Sequence, residues 1–154
     1  MSPALLGAPG SDLGGNDTGA VYLFLGPVTA DTDVAAADAT FYGWNAWYLG
    51  ESMAGPGDVD GDGFDDLLMN QYVNREDSKV RLFFGLLAGT REFDDADVTL
   101  VDGDGIHDDA GHALAGAGDV DRDDFDDFLV GAPSSESDTT LIGAAWLVRG
   151  GLGF

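Results

Sequence analysis

Gly57-Asp58-Val59-Asp60-Gly61-Asp62-Gly63-Phe64-Asp65-Asp66 returns further along the chain as Gly118-Asp119-Val120-Asp121-Arg122-Asp123-Asp124-Phe125-Asp126-Asp127, an offset of 61 residues (57 to 118). The flanks repeat with it. Glu51-Ser52-Met53-Ala54-Gly55 and His112-Ala113-Leu114-Ala115-Gly116 precede the two copies, and Leu67-Leu68-Met69 and Phe128-Leu129-Val130 follow them. A later apolar run ends in glycine both times, Val80 to Gly85 and Ala145 to Gly150. The N-terminus carries the second half of a third copy at an offset of 124: Leu5-Leu6-Gly7-Ala8-Pro9 matches Leu129 to Pro133, and Gly19 to Gly26 matches residues 143–150. The chain therefore holds about two and a half repeats, the first without its acidic loop, and self-similarity at such a period marks a repeat architecture.

The apolar runs are short, rich in Val, Leu, Phe and Tyr, and bounded by Gly, Pro, Asn and Asp, which is the pattern of strands. The polar stretches 27–38 and 86–97 each lead into one further strand, Ala39 to Tyr42 and Val98 to Val101. Residues 31–39 have room for a helical turn or two and no more. Four antiparallel strands in a unit of about 60 residues suit the blade of a β-propeller. The expected fold is all-β, about ten strands, divided into a partial blade (1–43), a complete blade (44–101) and a further blade (102–154).

Composition narrows the function. With 29 Asp and Glu against 6 Lys and Arg in 154 residues, the formal net charge is −23. That field repels nucleic acid and anionic membrane surfaces and attracts cations. No run approaches the roughly 18–20 apolar residues that span a bilayer, so membrane insertion is not expected. Residues 1–15 lack a signal-peptide pattern. The absence of cysteine removes disulfides and thiolate metal sites.

In each acidic loop the carboxylates alternate, Asp58, Asp60 and Asp62 followed by Asp66, then Asp119, Asp121 and Asp123 followed by Asp127. Alternating side chains on a tight loop converge on one point, and four carboxylates there repel one another unless a cation joins them. Ca²⁺ fits, because it takes six to eight oxygen ligands in flexible geometry. The backbone carbonyls of Phe64 and Phe125 fill the seventh position, with their rings expected in the core. Two bound Ca²⁺ ions per chain are expected. Gly63 permits the left-handed backbone of the turn; Asp124 stands in its place in the later loop, so that site is expected to be the more strained. An EF-hand would need Glu where Met69 and Val130 stand, thrombospondin-type repeats would need cysteine, and Gly-Gly-x-Gly-x-Asp repeats are missing. The plain alternative, a solvated Asp-Gly turn, is a fair reading of one copy and a poor one of two copies in register.

The order acidic loop, strand, Gly-Ala-Pro, variable loop and Gly-Ala-Val-Tyr-type strand resembles the FG-GAP repeat of integrin α subunits and of exported bacterial proteins. The resemblance implies propeller blades, Ca²⁺ in the loop joining the first two strands, and ligand contacts on the opposite face or rim. Two departures stand out: Asn70-Gln71-Tyr72 replaces Gly-Ala-Pro, and Leu49-Gly50 and Ala110-Gly111 replace Phe-Gly.

Other features are less specific. Asp102 to Asp109 mimics a third loop, but Leu100 occupies its first ligand position, so an inter-blade turn is the better reading. His107 and His112 have no zinc-site spacing, and His112 reads as structural or exposed. Phe41, Tyr42, Trp44, Trp47 and Tyr48 form an aromatic patch, read as packing between blades ahead of sugar or protein binding. Asn16-Asp17-Thr18 is a glycosylation sequon by pattern alone. No Ser-His or Cys-His pair suggests catalysis. The expectation is a non-enzymatic, calcium-binding adhesion or ligand-binding module of an exported or cell-surface protein, with a protein or carbohydrate ligand. The alternative is the non-catalytic propeller part of an exported carbohydrate- or lipid-active enzyme. Exposed blade flanks predict homo-oligomerisation, most simply a symmetric dimer.

Overall fold

The computed structural model describes residues 3–28, 31–44, 48–71, 79–100, 109–133, 136–137, 140–141 and 143–151. Its strands are β1 (Ala4–Ala8), β2 (Ala20–Phe24), β3 (Ala39–Tyr42), β4 (Ser52–Gly57), β5 (Asp66–Gln71), β6 (Lys79–Phe83), β7 (Gly89–Glu92), β8 (Val98–Leu100), β9 (Ala113–Gly118), β10 (Asp127–Ala132), β11 (Glu136–Ser137), β12 (Thr140–Leu141) and β13 (Ala144–Val148). The first sheet runs β1-β2-β3-β7, the middle sheet β4-β5-β6-β8, and the last β13-β10-β9, with β11 and β12 paired as a separate hairpin. The chain is all-β, with sheets of three or four strands, as the short apolar runs predict.

The sequence repeat is a repeat of register. Ala4 pairs with Phe24, Leu67 with Phe83, and Phe128 with Val148, so equivalent residues take equivalent places in the three sheets. A strand between two layers must be apolar on both faces, and β5 is buried at every position. Leu67, Met69 and Phe83 pack with Val21, Leu23 and Phe41 of the first repeat and with Leu49, which leads into the second. Leu68, Val80 and Leu82 pack with Phe128 and Val130 of the last. The core thus lies as two layers between three sheets. In the first layer the Phe41 and Phe83 rings meet edge to face, 4.9 Å between centroids and 65° between planes, an arrangement that favours the ring quadrupoles.

Several expectations change. β7 lies inside 86–97, where no strand before Val98 is expected, and it pairs in parallel with β3, Ala39 opposite Gly89 and Tyr42 opposite Glu92. Pairing is therefore not wholly antiparallel, and residues of the second repeat complete the first sheet. The polar sequence Gly89-Thr90-Arg91-Glu92 carries no apolar alternation because it is an edge strand held by its backbone and by Tyr42, whose hydroxyl donates to Glu92 Oε1 at 2.8 Å. Within 31–39 the structure forms one 3-10 turn, Val34–Ala36, its first N–H groups capped by Asp33. Phe41 enters the core, whereas Trp44 and Tyr48 are exposed. The departure Asn70-Gln71 is buried: the Asn70 amide donates to the Ala110 carbonyl at 3.0 Å and the Gln71 amide to that of Trp44 at 3.4 Å. His112 is exposed. Trp47, Tyr72, Val101, His107 and the rest of 101–108 lie outside the described residues.

Candidate metal centres

Each acidic loop links the first two strands of its sheet, β4 to β5 and β9 to β10, and both form at the same end of the molecule. The loops curl because their own carboxylates hold the backbone. Asp58 accepts the N–H of Gly61 at 2.7 Å and of Gly63 at 2.9 Å; Asp60 accepts that of Asp62 at 3.1 Å, and Asp62 that of Phe64 at 2.9 Å. In the last sheet Asp119 accepts the N–H groups of Arg122, Asp123 and Asp124 at 2.6, 3.1 and 3.1 Å, and Asp123 that of Phe125 at 3.1 Å. Such Asx turns occupy part of each carboxylate's acceptor capacity and leave lone pairs free.

Asp58, Asp60 and Asp62 each offer an oxygen within 4.8 Å of the others, and so do Asp119, Asp121 and Asp127. Oxygens on opposite sides of one Ca²⁺ stand about 4.6–5.2 Å apart, so either set fits round a single ion, and hard carboxylate oxygens are the donors Ca²⁺ prefers. The fourth carboxylates differ between loops. In the first loop Asp66 lies outside the cluster; its two oxygens accept the N–H groups of Val59 and Gly85, both at 2.8 Å. Asp127 makes the equivalent bonds to Val120 at 2.9 Å and Gly150 at 3.1 Å, yet stays within the second cluster, while Asp123 does not. These two buried aspartates also tie each loop to the end of its third strand, a task the spacing alone does not reveal.

Electrostatics follow burial. Desolvation raises the Asp66 carboxyl to about 6; the Val59 and Gly85 N–H groups pull against that rise, and Asp60 and Asp62 add to it. Asp121 is likewise held above the ordinary carboxylate value, by desolvation first and then by Asp123, with Arg149 opposing. Arg149 Nη1 lies 3.3 Å from Asp121 Oδ2. It stands where the middle sheet has Phe84, beside the repeated glycine (85 and 150), and that swap is a sequence signal for a counter-ion at the last loop.

Backbone conformation separates the loops as well. Gly61 and Gly63 have φ of 81° and 89°, and their equivalents Arg122 and Asp124 are held at 66° and 73°. Side chains in this region cost about 1–2 kcal/mol each, so the strain expected at Asp124 is present and extends to Arg122. The rings of Phe64 and Phe125 also diverge. Phe125 packs over Gly61, Gly150 and Gly151, half-buried and outside both core layers, so its ring does not enter the core as expected. Phe64 covers Gly85 but is 45% exposed, contrary to the expectation that it enters the core. The reason is positional: Phe125 has an acidic loop beside it to lie on, and among the described residues Phe64 has none.

Neighbouring loops are joined directly. The Asp58 N–H donates to Asp126 Oδ2 at 3.0 Å, the Asp126 N–H returns to the Asp58 carbonyl at 2.9 Å, and the Gly151 N–H donates to the Val59 carbonyl at 2.9 Å. No protein-family model matches the chain, and no curated protein matches it.

Proposed function

We propose that the protein is a calcium-binding module of the FG-GAP type, its sheets serving as blades of an integrin-like β-propeller, and that it binds where an enzyme would catalyse. The convergence of Asp58, Asp60 and Asp62 on one point, repeated by Asp119, Asp121 and Asp127, carries the reading. Clustered carboxylates raise the free energy of the fold unless a cation neutralises them, and hard oxygen donors in a Gly-rich loop select Ca²⁺. Residues 58–66 and 119–127 each hold one ion, with the Phe64 and Phe125 carbonyls and the carboxylates of Asp66 and Asp123 completing the two shells as the ion draws the loops in. The ions are structural. They fix the loop ends of the sheets and leave the other faces to a protein or carbohydrate ligand, as suits an adhesion or binding module outside the cell. Isothermal titration with Ca²⁺ tests this: two ions per chain are expected, falling to one in Asp60→Ala. Absence of binding, or a ratio near one in the parent protein, overturns it.

A further inference from the structure

At the end opposite the acidic loops, the junction of the middle and last sheets differs from the junction of the first and middle sheets. β5 finishes there at Gln71, and residues 49–51 and 110–112 lead there into β4 and β9. In the earlier junction Leu49 is fully buried in the core, and a Cβ on Gly7 would run into the Gly50 carbonyl, so no space remains. One repeat later Leu49 is replaced by the half-buried Ala110, and Gly7 by Asn70. The last repeat returns to glycine at that position, Gly131. An apolar plug has shrunk, and a polar amide stands where both flanking repeats have no side chain at all.

Beside this exchange lies a cleft of about 360 Å³, lined among the described residues by Glu51, Ser52, Asn70 and His112. Every one of these carries a hydrogen-bonding group. Ser52 faces Asn70 in the register of β4 and β5, and Glu51 and His112 are equivalent, exposed positions of their repeats. Among the described residues no hydrogen bond engages the side chains of Glu51, Ser52 or His112. Asn70 is 3% exposed. Its amide N–H is committed to the Ala110 carbonyl at 3.0 Å, while its buried Oδ1 has no hydrogen-bond partner. A buried acceptor without a donor raises the free energy of the fold. Glycine would avoid that cost, so the asparagine calls for a donor that the chain does not itself supply.

We propose that this cleft binds a neutral polyhydroxyl ligand, a sugar ring, with one ring hydroxyl donating to Asn70 Oδ1. The proposal rests on the reading of the chain as a binding module and names the ligand class and its seat. Asn70 Oδ1 and the Glu51 carboxylate accept, Ser52 donates and accepts, and His112 offers an N–H. Adjacent sugar hydroxyls each donate and accept, so one ring can answer all four groups. An ammonium group only donates and leaves the His112 N–H unanswered. A metal ion is far smaller than the cleft, whose volume falls in the range of small-molecule sites, and Glu51 is the one carboxylate lining it among the described residues.

Glucose, galactose and mannose are the probes, each titrated into the full chain in calcium buffer and followed by amide chemical shifts, with N-acetyl-lysinamide as the cationic comparison. One sugar per chain is expected to bind saturably, with a Kd on the order of 1 mM for so small a ligand and shifts centred on Ser52, Asn70 and His112. Glu51→Ala, at an exposed position, should keep the melting curve and weaken binding about tenfold. Asn70→Gly combined with Ala110→Leu rebuilds the earlier junction; it should abolish sugar binding and still take up two Ca²⁺. Three results overturn the proposal: no saturable binding of any of the three sugars, shifts centred elsewhere, or binding that Glu51→Ala leaves unchanged. Tighter binding of N-acetyl-lysinamide at the same residues overturns it as well. The sugar and Ca²⁺ are titrated separately and at opposite ends of the sheets, so failure here is distinct from failure of the two-ion reading.

Discussion

Asp126 holds Asp58 by two hydrogen bonds, its carboxylate accepting the Asp58 N–H at 3.0 Å and its own N–H donating to the Asp58 carbonyl at 2.9 Å. A residue of one acidic loop thus fixes the start of the other. Asp126→Ala removes the side-chain bond and should cost about 1–2 kcal/mol, read from urea unfolding. Gly57→Ala should cost more, because φ is 101° there and a Cβ would project into the Asp126 carboxylate. Equal or negligible losses would show that the loops are not coupled in this way.

Calcium removal should lower the melting temperature strongly. Two sites at a hundredfold excess of Ca²⁺ over Kd contribute about 5 kcal/mol together, or roughly 10–20 °C for a domain of this size. Mg²⁺ should restore little of it, since it demands octahedral geometry and keeps its waters. Asp60→Ala and Asp121→Ala should each remove one ion, with Asp121→Ala the milder because Arg149 already offsets that carboxylate. Identical melting curves in EDTA and calcium would exclude a structural role.

Acidity should act in opposite directions with and without the ion. Asp66 titrates near 6 in the fold, above its ordinary value of 3.8. Between those values the folded state binds more protons than the unfolded chain, so this group makes the metal-free protein more stable as pH falls through about 6 toward 4. In calcium the trend should reverse, since ligand carboxylates must be deprotonated to bind. Urea unfolding across this range in EDTA checks the first slope, and Asp66→Asn should flatten it.

Glycine at the strained positions of the last loop should help. Arg122→Gly and Asp124→Gly restore the residues that loop 58–66 carries at φ of 81° and 89°. Each should stabilise by about 1 kcal/mol, the left-handed penalty less glycine's entropic cost, and should tighten Ca²⁺ at that loop. Loss of stability in either variant would mean that the side chains, not the backbone, set the loop's conformation.

Self-association should use the uncovered face of the last sheet. Leu129 and Leu147 lie opposite one another there, 41% and 45% exposed, whereas their equivalents Leu68 and Leu82 are fully buried under that same last sheet. Two copies meeting through this face form a symmetric dimer, and calcium and salt should favour it by reducing repulsion. Light scattering in calcium should give twice 16.0 kDa, and Leu147→Glu should restore the monomer. A monomer for the parent at high concentration would leave that face for another partner.

Much of this was legible in the chain because equivalent residues make equivalent bonds. The spacing of Asp58, Asp60 and Asp62 predicts their convergence, and the Gly85 and Gly150 that close the repeats turn out to donate to Asp66 and Asp127. Strand β3 was readable to the residue, since Ala39–Tyr42 alternates between core and surface. β7 was not, because a polar edge strand is specified by its partner's backbone and leaves no period behind. The exposure of Phe64 was equally hidden: the same Phe is sheltered in one repeat and not in the other, and the difference lies in the neighbour. Arg149 escaped notice because a single cation after an apolar strand has no pattern until the loop opposite it is placed.

The parallel pairing of β3 with β7 throws the unit of sequence out of step with the unit of folding. A cut after residue 43 follows the repeat yet strips the first sheet of its outer strand, and what remains of the second repeat keeps Gly89–Glu92 with nothing to join. Arg81 braces that connection from within the middle sheet, bonded to Thr99 at 2.7 Å and Asp94 at 2.6 Å and lying 5.2 Å over the Phe93 ring. The two repeats are interlocked like overlapping shingles, so denaturation spreads through both at once, and excising either one to study it alone would yield a broken piece, not a smaller domain.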